Sequence, residues 1–219
     1  MSEASDESNQ KQGPRRLRPS GGYRRLRSFR AATIIYDGTV TFCERFLDKR
    51  TRTVDQMVQA ARSGRQNIAE GSRASATSSQ TELRLLTVAR ASLDELLLDF
   101  EDFLRQRRLR QWSKDNPEAH AVREVWRTID QSDRTDSSDR SGHAAYAAWL
   151  ENQDPAVVAN ALICLIHQTN YLLDQQIASL ERRFVEEGGY SERLASIFTP
   201  GDGPNGRVSD PTWPYCQRA

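Results

Sequence analysis

Two polar pairs at helical spacing are the strongest chemistry-bearing pattern in the chain. Asn67 and Glu70 stand three residues apart, as do Ser92 and Glu95, and that spacing puts both members of a pair on one helix face. If the two faces meet, four polar groups come together. One reading is a structural polar network that fixes helix register. A buried carboxylate is costly unless paired, and Arg62, Arg73 or Arg90 could pair it, with Arg90 best placed one turn from Leu86 and Asp94. The rival reading makes Glu70 and Glu95 an acid/base or metal pair. Carboxylate-bridged metal sites in helix bundles use Glu-x-x-His on facing helices, and Glu-x-x-His is absent here. The structural lock is therefore preferred. His120, His143 and His167 are scattered, with His167 beside an apolar stripe and more consistent with a core or interface residue than a ligand. Cys43, Cys164 and Cys216 lack zinc spacing. The first two fall on apolar stripes and read as small hydrophobes. There is no Gly-rich phosphate loop and no nucleophile elbow. We expect no catalytic residue, no metal or other cofactor, and no small-molecule substrate.

Charge offers a different chemistry. Lys11, Arg15, Arg16, Arg18, Arg24, Arg25, Arg27 and Arg30 follow one another with no acidic residue between them. Set against a net charge of +1 for all 219 residues, those eight charges leave the rest of the chain near −7. Arginine's planar fork suits phosphate. The interspersed Gly, Pro and Ser keep such an arm from burying apolar area. It reads as an electrostatic arm for nucleic acid, helped by Arg62, Arg65 and Arg73, or as a solubilising tail, or as a tail that docks on an acidic face of its own oligomer. A second basic cluster, Arg105, Arg107, Arg108 and Arg110, fits a helix C-terminus, where cations favour the dipole by about 0.3–1 kcal/mol each, better than it fits a phosphate site.

The elements that would position these groups are helices. Leu26, Phe29, Thr33, Tyr36, Val40, Cys43 and Leu47 recur at spacings of three and four, which predicts a seam along a helix over 24–49. Ile35, Phe42 and Phe46 widen it, and Gly38 inside it marks close packing or a kink. A second helix is expected over 52–74, with a small, polar middle at 60–66 that demands tight or wet packing. Ser79-Gln80-Thr81-Glu82 has the form of a capping box and opens a third helix to about Arg108. Its stripe is Leu86, Ala89, Leu93, Leu96, Phe100 and Phe103. Asn116-Pro117-Glu118 and Asp154-Pro155 are cap-plus-proline starts. The first opens a short helix to Ile129, and the second a long helix to about Glu187, ended by Gly188-Gly189. Its stripe runs Val158, Leu162, Leu165, Thr169, Leu172, Leu173, Ile177, Leu180 and Phe184. Between them lie a mobile polar linker at 130–142 and a short helix at 142–152.

These elements predict an all-α fold, an antiparallel up-down four-helix bundle with a helical insertion between the third and fourth helices and extended tails. The expected divisions are a basic arm at 1–23, three bundle helices at 24–110, the insertion at 111–154, the fourth helix at 155–188 and a C-terminal suffix at 189–219. No run approaches the ~18 apolar residues of a membrane span, so no membrane is expected. With no apolar leader and an odd number of cysteines, the expected compartment is the cytoplasm.

The strings Asn-Ile-Ala-Glu-Gly at 67–71 and Ala-Arg-x-Ser-Leu-x-Glu-Leu at 89–96 resemble the small bacterial four-helix-bundle proteins. These include the ribosomal-RNA intervening-sequence proteins and the accessory variability determinant of diversity-generating retroelements. The likeness covers roughly 26–108 and 156–194, and the C-terminal part is similar to the longer subgroup with a suffix segment. It implies an antiparallel bundle, ring-like homopentamers and no known catalytic activity. In the retroelement branch it implies binding of RNA or DNA and of a reverse transcriptase. The chain departs from the pattern at Arg65-Gln66, in the 111–154 insertion, and in its acidic body. The expected function is a non-enzymatic homo-oligomeric accessory protein that binds nucleic acid. The alternative is a structural bundle that recruits a protein through aromatic anchors, with Trp126 and Trp149 in the insertion and Trp213 and Tyr215 in the tail.

Overall fold

A computed structural model of the chain describes residues 22–132 and 144–187. Lys11, Arg15, Arg16 and Arg18 of the arm, Trp213 and Tyr215 of the tail, His143, Cys216, most of the 130–142 linker and the Gly188-Gly189 stop lie outside the described residues. Among those described, every regular element is a helix. A 3-10 turn at Tyr23–Arg25 leads into α1 (Arg27–Phe46), α2 (Arg52–Ala74) and α3 (Ser79–Gln106). Then come α4 (Pro117–Ser132), the one-turn α5 (Ala147–Leu150) and α6 (Pro155–Glu187). The four long elements pack in a cycle, α1 on α2, α2 on α3, α3 on α6 and α6 on α1, while α4 and α5 lie against α6.

The helix ends follow local chemistry, with one shift from expectation. Asp154 caps α6 as expected: its Oδ1 accepts from the Ala156 N–H at 2.8 Å, ahead of a first-turn proline whose missing N–H costs nothing there. At α3 the cap is Ser78, one residue earlier than predicted, and its Oγ accepts from the Thr81 N–H at 3.1 Å. Glu82 thus falls one place past the position from which a capping-box carboxylate reaches back. The Asn116 side chain turns away from the start of α4; its Oδ1 accepts from the Ser113 N–H in the preceding turn at 2.7 Å. At the far end of α3, Arg108 adopts the left-handed conformation (φ 57°). There the Leu109 N–H returns to the Leu104 carbonyl at 2.9 Å, the six-to-one bond of a Schellman ending.

Burial identifies which predicted stripes are the inward ones. On α3 the stripe Leu86, Ala89, Leu93, Leu96, Phe100 and Phe103 is buried throughout. On α1 the inward line is rotated from the predicted seam. Ser28, Ala31, Ala32, Ile35, Gly38, Thr39 and Phe42 are buried, whereas Leu26, Phe29, Thr33, Tyr36 and Val40 are half-buried on its flank. The reason is size. A Cβ added to Gly38 would lie 2.8 Å from Leu162 Cδ2, so the small residues face α6 and admit it closely. Phe42 then meets Phe100 and Phe103 edge-on, with ring centroids 5.1 and 4.8 Å apart. The small middle of α2 is tight in the same way: a Cβ on Gly64 would lie 2.9 Å from both Cγ and Cδ2 of Leu93.

The first half of α6 is apolar nearly all round. Every residue from Val158 to Ile166 is buried, as expected of a helix surrounded by others. The stretch Pro155–Phe184 is apolar and long enough to cross a membrane by composition, but 67% of its most apolar window is buried against the rest of the chain. Further on only one face is buried, at Thr169, Asn170, Leu173 and Leu180, and Phe184, expected in the stripe, is 41% exposed.

The predicted insertion is not an appendage. Ala119, Val122 and Trp126 of α4, with Tyr146 and Leu150 beside α5, belong to the same hydrophobic core as the four long helices. Two polar clamps hold the segment in place. Asn160, 1% exposed, accepts from the Trp112 N–H at 2.7 Å and donates to the carbonyls of Arg110 and Ala156 at 2.9 and 2.8 Å. Arg45 of α1 donates to the carbonyls of Leu150 and Asn152 at 3.2 and 2.6 Å, placing a cation at the C-terminal end of α5.

Two stability measurements check this packing. Gly64→Ala should gain helix propensity yet lose net stability by about 1 kcal/mol, because overpacking against Leu93 costs more than the propensity returns. A higher denaturation midpoint would mean that α2 and α3 stand further apart. Asn160→Ala leaves the Trp112 N–H and the Arg110 carbonyl without their partner and should cost about 3 kcal/mol in equilibrium unfolding. A loss under about 1 kcal/mol would show that water replaces the clamp.

Candidate functional site

The predicted polar network forms in part and divides in two. Between α2 and α3, Asn67 Nδ2 donates to the Ser63 carbonyl at 2.9 Å and to Ser63 Oγ at 3.1 Å. Ser63 Oγ lies 2.9 Å from Ser92 Oγ. Asn67 and Ser92 are thus joined through Ser63, a link that sequence reasoning missed although Ser63 sits one turn before Asn67. Glu70 and Glu95 do not join them. Both are exposed, because they lie to the outer side of the faces that meet. The helices approach closely there, on Gly64 against Leu93, which leaves room for hydroxyls and not for carboxylates.

Arg90 belongs to a separate cluster between α3 and α6. It pairs with Asp94 on its own helix and, through Nε at 2.6 Å, with Asp174 on α6. Asp94 also accepts from Asn170 Nδ2 at 2.7 Å. These charged side chains are 38–50% exposed, so solvent screens them and their worth is at most about 1 kcal/mol per pair. The cluster fixes the angular setting of α6 on α3, with one guanidinium shared by two carboxylates and a neutral amide donor on Asp94.

Beside the Ser63–Ser92 contact lies an open groove that also includes Asp55, Glu95, Leu98 and Asp99. Asp99 has its carboxyl pushed up, first by burial and then by Asp102 and Glu95. Among the described residues no group of three or more His, Cys, Asp or Glu side chains is arranged to hold a metal ion. His120 and His167 are exposed, on α4 and α6 respectively.

The basic residues of 22–30 are anchored by aromatics. The Tyr23 ring packs edge-on against Phe29 at 4.8 Å. Arg73, reaching from the end of α2, lies over that ring at 4.8 Å and donates to the Tyr23 hydroxyl at 3.3 Å. Arg24 lies 5.2 Å from the same ring. The result is a cationic cluster, Arg24, Arg25 and Arg73, all exposed, at the point where the arm joins the fold. Arg65 lies over Tyr36 at 4.1 Å and Arg62 is exposed on the outer side of α2. Arg27 covers Trp126 at 5.9 Å, and Arg30 is half-buried on α1. Of the second basic cluster, Arg105 pairs with Asp102 at 2.7 Å and Arg107 packs over Phe103 at 4.0 Å, in keeping with a local, helix-ending role.

Of the aromatic anchors expected of an interaction surface, the two among the described residues are turned inward. Trp126 is only 6% exposed, and Trp149 is half-buried with its ring edge-on to Trp112 at 6.1 Å. Periodicity in a short insertion gives no direction, so spacing alone could not decide whether these rings face a partner or the chain's own core. Among the described residues, Tyr171 and Leu98 are instead the most exposed large apolar residues, at 64% and 62%.

Cys43 and Cys164 are buried and unpaired, as expected. Burial pushes both thiols from 9.0 up to about 11, with Asp99 and Glu44 adding to the effect at Cys43. A raised folded-state pKa means that stability is intact below the unfolded value and is lost as pH climbs towards the folded one. Unfolding free energy should therefore fall as pH rises from about 9 to about 11, and the fall should be shallower in a Cys43→Ala, Cys164→Ala variant. Equal slopes in the two proteins would show that the thiols reach water in the folded state.

Comparisons with known protein families, with curated proteins and with solved structures find no match for this chain.

Proposed function

We propose that the chain is a non-enzymatic, homo-oligomeric accessory protein that binds nucleic acid. In this reading the four long helices form an antiparallel up-down bundle with 111–154 inserted before the fourth, and the basic arm and the Tyr23 cluster form the binding surface. The observation that carries the reading is the acid-free run from Lys11 to Arg30, within which Tyr23 is held next to a further arginine from α2, Arg73. Guanidinium groups set around an aromatic ring suit phosphate and base stacking together. Ring-like assembly, five-fold by the family resemblance, would bring several arms to one strand and raise their effective concentration. The same resemblance names a reverse transcriptase as the partner class. Recruitment of a protein through the insertion has less behind it, since Trp126 and Trp149 are occupied with the chain's own core.

Binding of a labelled single-stranded RNA and a labelled duplex DNA, followed by anisotropy over a range of salt concentrations, tests this directly. The full chain should bind one or both with a log–log salt slope. Arg24→Gln, Arg25→Gln and Arg73→Gln together should flatten that slope by about three units, roughly one for each phosphate that a guanidinium no longer reaches. A full chain with no salt-sensitive binding at low ionic strength would overturn the reading.

A further inference from the structure

A cavity of about 560 Å³ lies between α4, α6 and the 111–114 segment, and none of the Tyr23 cluster lines it. Its volume is within the ~300–1,000 Å³ range of small-molecule sites. We infer that it binds a small organic anion with a flat apolar body, a ring system carrying a carboxylate or phosphate group.

Three features set that chemistry. The lining is cationic: Arg27, Lys114, Arg123 and Arg127 contribute to it, and among the described residues no Asp or Glu does. Arg127 shares its charge with Glu124 at 2.9 Å, Arg123 donates to the Lys114 carbonyl, and Arg27 lies over the Trp126 ring. Glu124 offsets Arg127, so the excess positive charge at the cavity rests first on Lys114 and on Arg123, which its backbone contact holds in place for an anion.

The remaining walls are flat and apolar. Trp112, Trp126 and Tyr171 supply rings, and Ile163 and Leu172 supply aliphatic surface. Tyr171 is 64% exposed, so a ring seated against it would remove apolar area from water that the fold leaves uncovered.

The third feature is a pair of unmet hydrogen-bonding groups. Trp126 Nε1 is a buried donor and Gln168 Oε1 a buried acceptor, and neither has a hydrogen-bond partner among the described residues. Both residues line the cavity. A buried polar group without a partner costs about 1–3 kcal/mol, a cost that a water or a ligand reaching the group removes. A ligand that presents an acceptor to the indole N–H and a donor to the amide oxygen would satisfy both. The sequence predicts no small-molecule ligand because it holds no catalytic constellation. A site of this type needs only a wall of rings, a positive rim and two unmet partners, contributed by segments as distant in sequence as Trp112 and Leu172.

Titration of the full chain with naphthalene-2-carboxylate tests the inference, with 2-naphthalenemethanol as the neutral counterpart and inorganic phosphate as the bare anion. The carboxylate should bind at one site per chain with a Kd below about 1 mM, and the alcohol about tenfold or more weakly. Inorganic phosphate at equal concentration should not displace it. The Trp126 indole N–H resonance, assigned by its loss in Trp126→Phe, should shift on binding. Lys114→Gln with Arg127→Gln, both exposed positions that leave the core intact, should weaken the carboxylate about tenfold and leave the alcohol unchanged. Absence of saturable binding, equal affinity for acid and alcohol, displacement by phosphate alone, or an unmoved indole signal would each overturn it. Because Arg24, Arg25 and Arg73 take no part in this site, its failure is separable from failure of nucleic-acid binding.

Discussion

The first half of α6 is the constraint on which the rest depends. From Val158 to Ile166 every residue except Asn160 is apolar and every one is buried, so the helix is enclosed on every side. Fully burying one Leu or Ile side chain is worth about 1.5–3 kcal/mol, and this stretch contains several. Two long helices, α1 and α3, cover part of its circumference. The segment after α3 covers the rest, with Ala119, Val122 and Trp126 on one helix and Tyr146 and Leu150 further along. That is why this segment belongs to the core. An amphipathic fourth helix would have needed no such covering.

Close approach then sets the details. Gly38 admits Leu162 and Gly64 admits Leu93, and polar groups survive inside only where their partners are at hand. Asn160 satisfies three backbone groups, while Asn67, Ser63 and Ser92 satisfy one another. Charges are kept at the margin, where Arg90, Asp94 and Asp174 meet half in solvent. The same tightness leaves Glu70 and Glu95 exposed, outside the contact that Ser63 and Ser92 make.

Much of this was legible in the sequence. The span of α2, the stripe of α3 and the start and length of α6 follow from periodicity and cap chemistry, because those signals are local. The inward line of α1 was misplaced, since periodicity selects a broad apolar face and cannot tell that its small residues, rather than its large ones, face the nearest neighbour. The capping residue of α3 was ambiguous for a related reason: Ser78 and Ser79 are both competent caps, and the choice depends on the turn before them. Asn160 and the unmet Trp126 and Gln168 groups carried no sequence signal at all. Their roles depend on which backbone or cavity the tertiary fold sets beside them.

On the outside, the two cationic surfaces are chemically distinct. One is built on exposed arginines around a tyrosine where the basic arm meets the fold, and the other is a walled cavity formed because α4 must cover α6. The enclosure of α6 is tested most directly by native-state hydrogen exchange. The amides of 158–166 should exchange only through global unfolding, in the same slowest class as 119–126 of α4 and 86–100 of α3. Exchange of 158–166 or of α4 through a smaller opening, while α3 stays protected, would contradict the dependence of the fold on that enclosure.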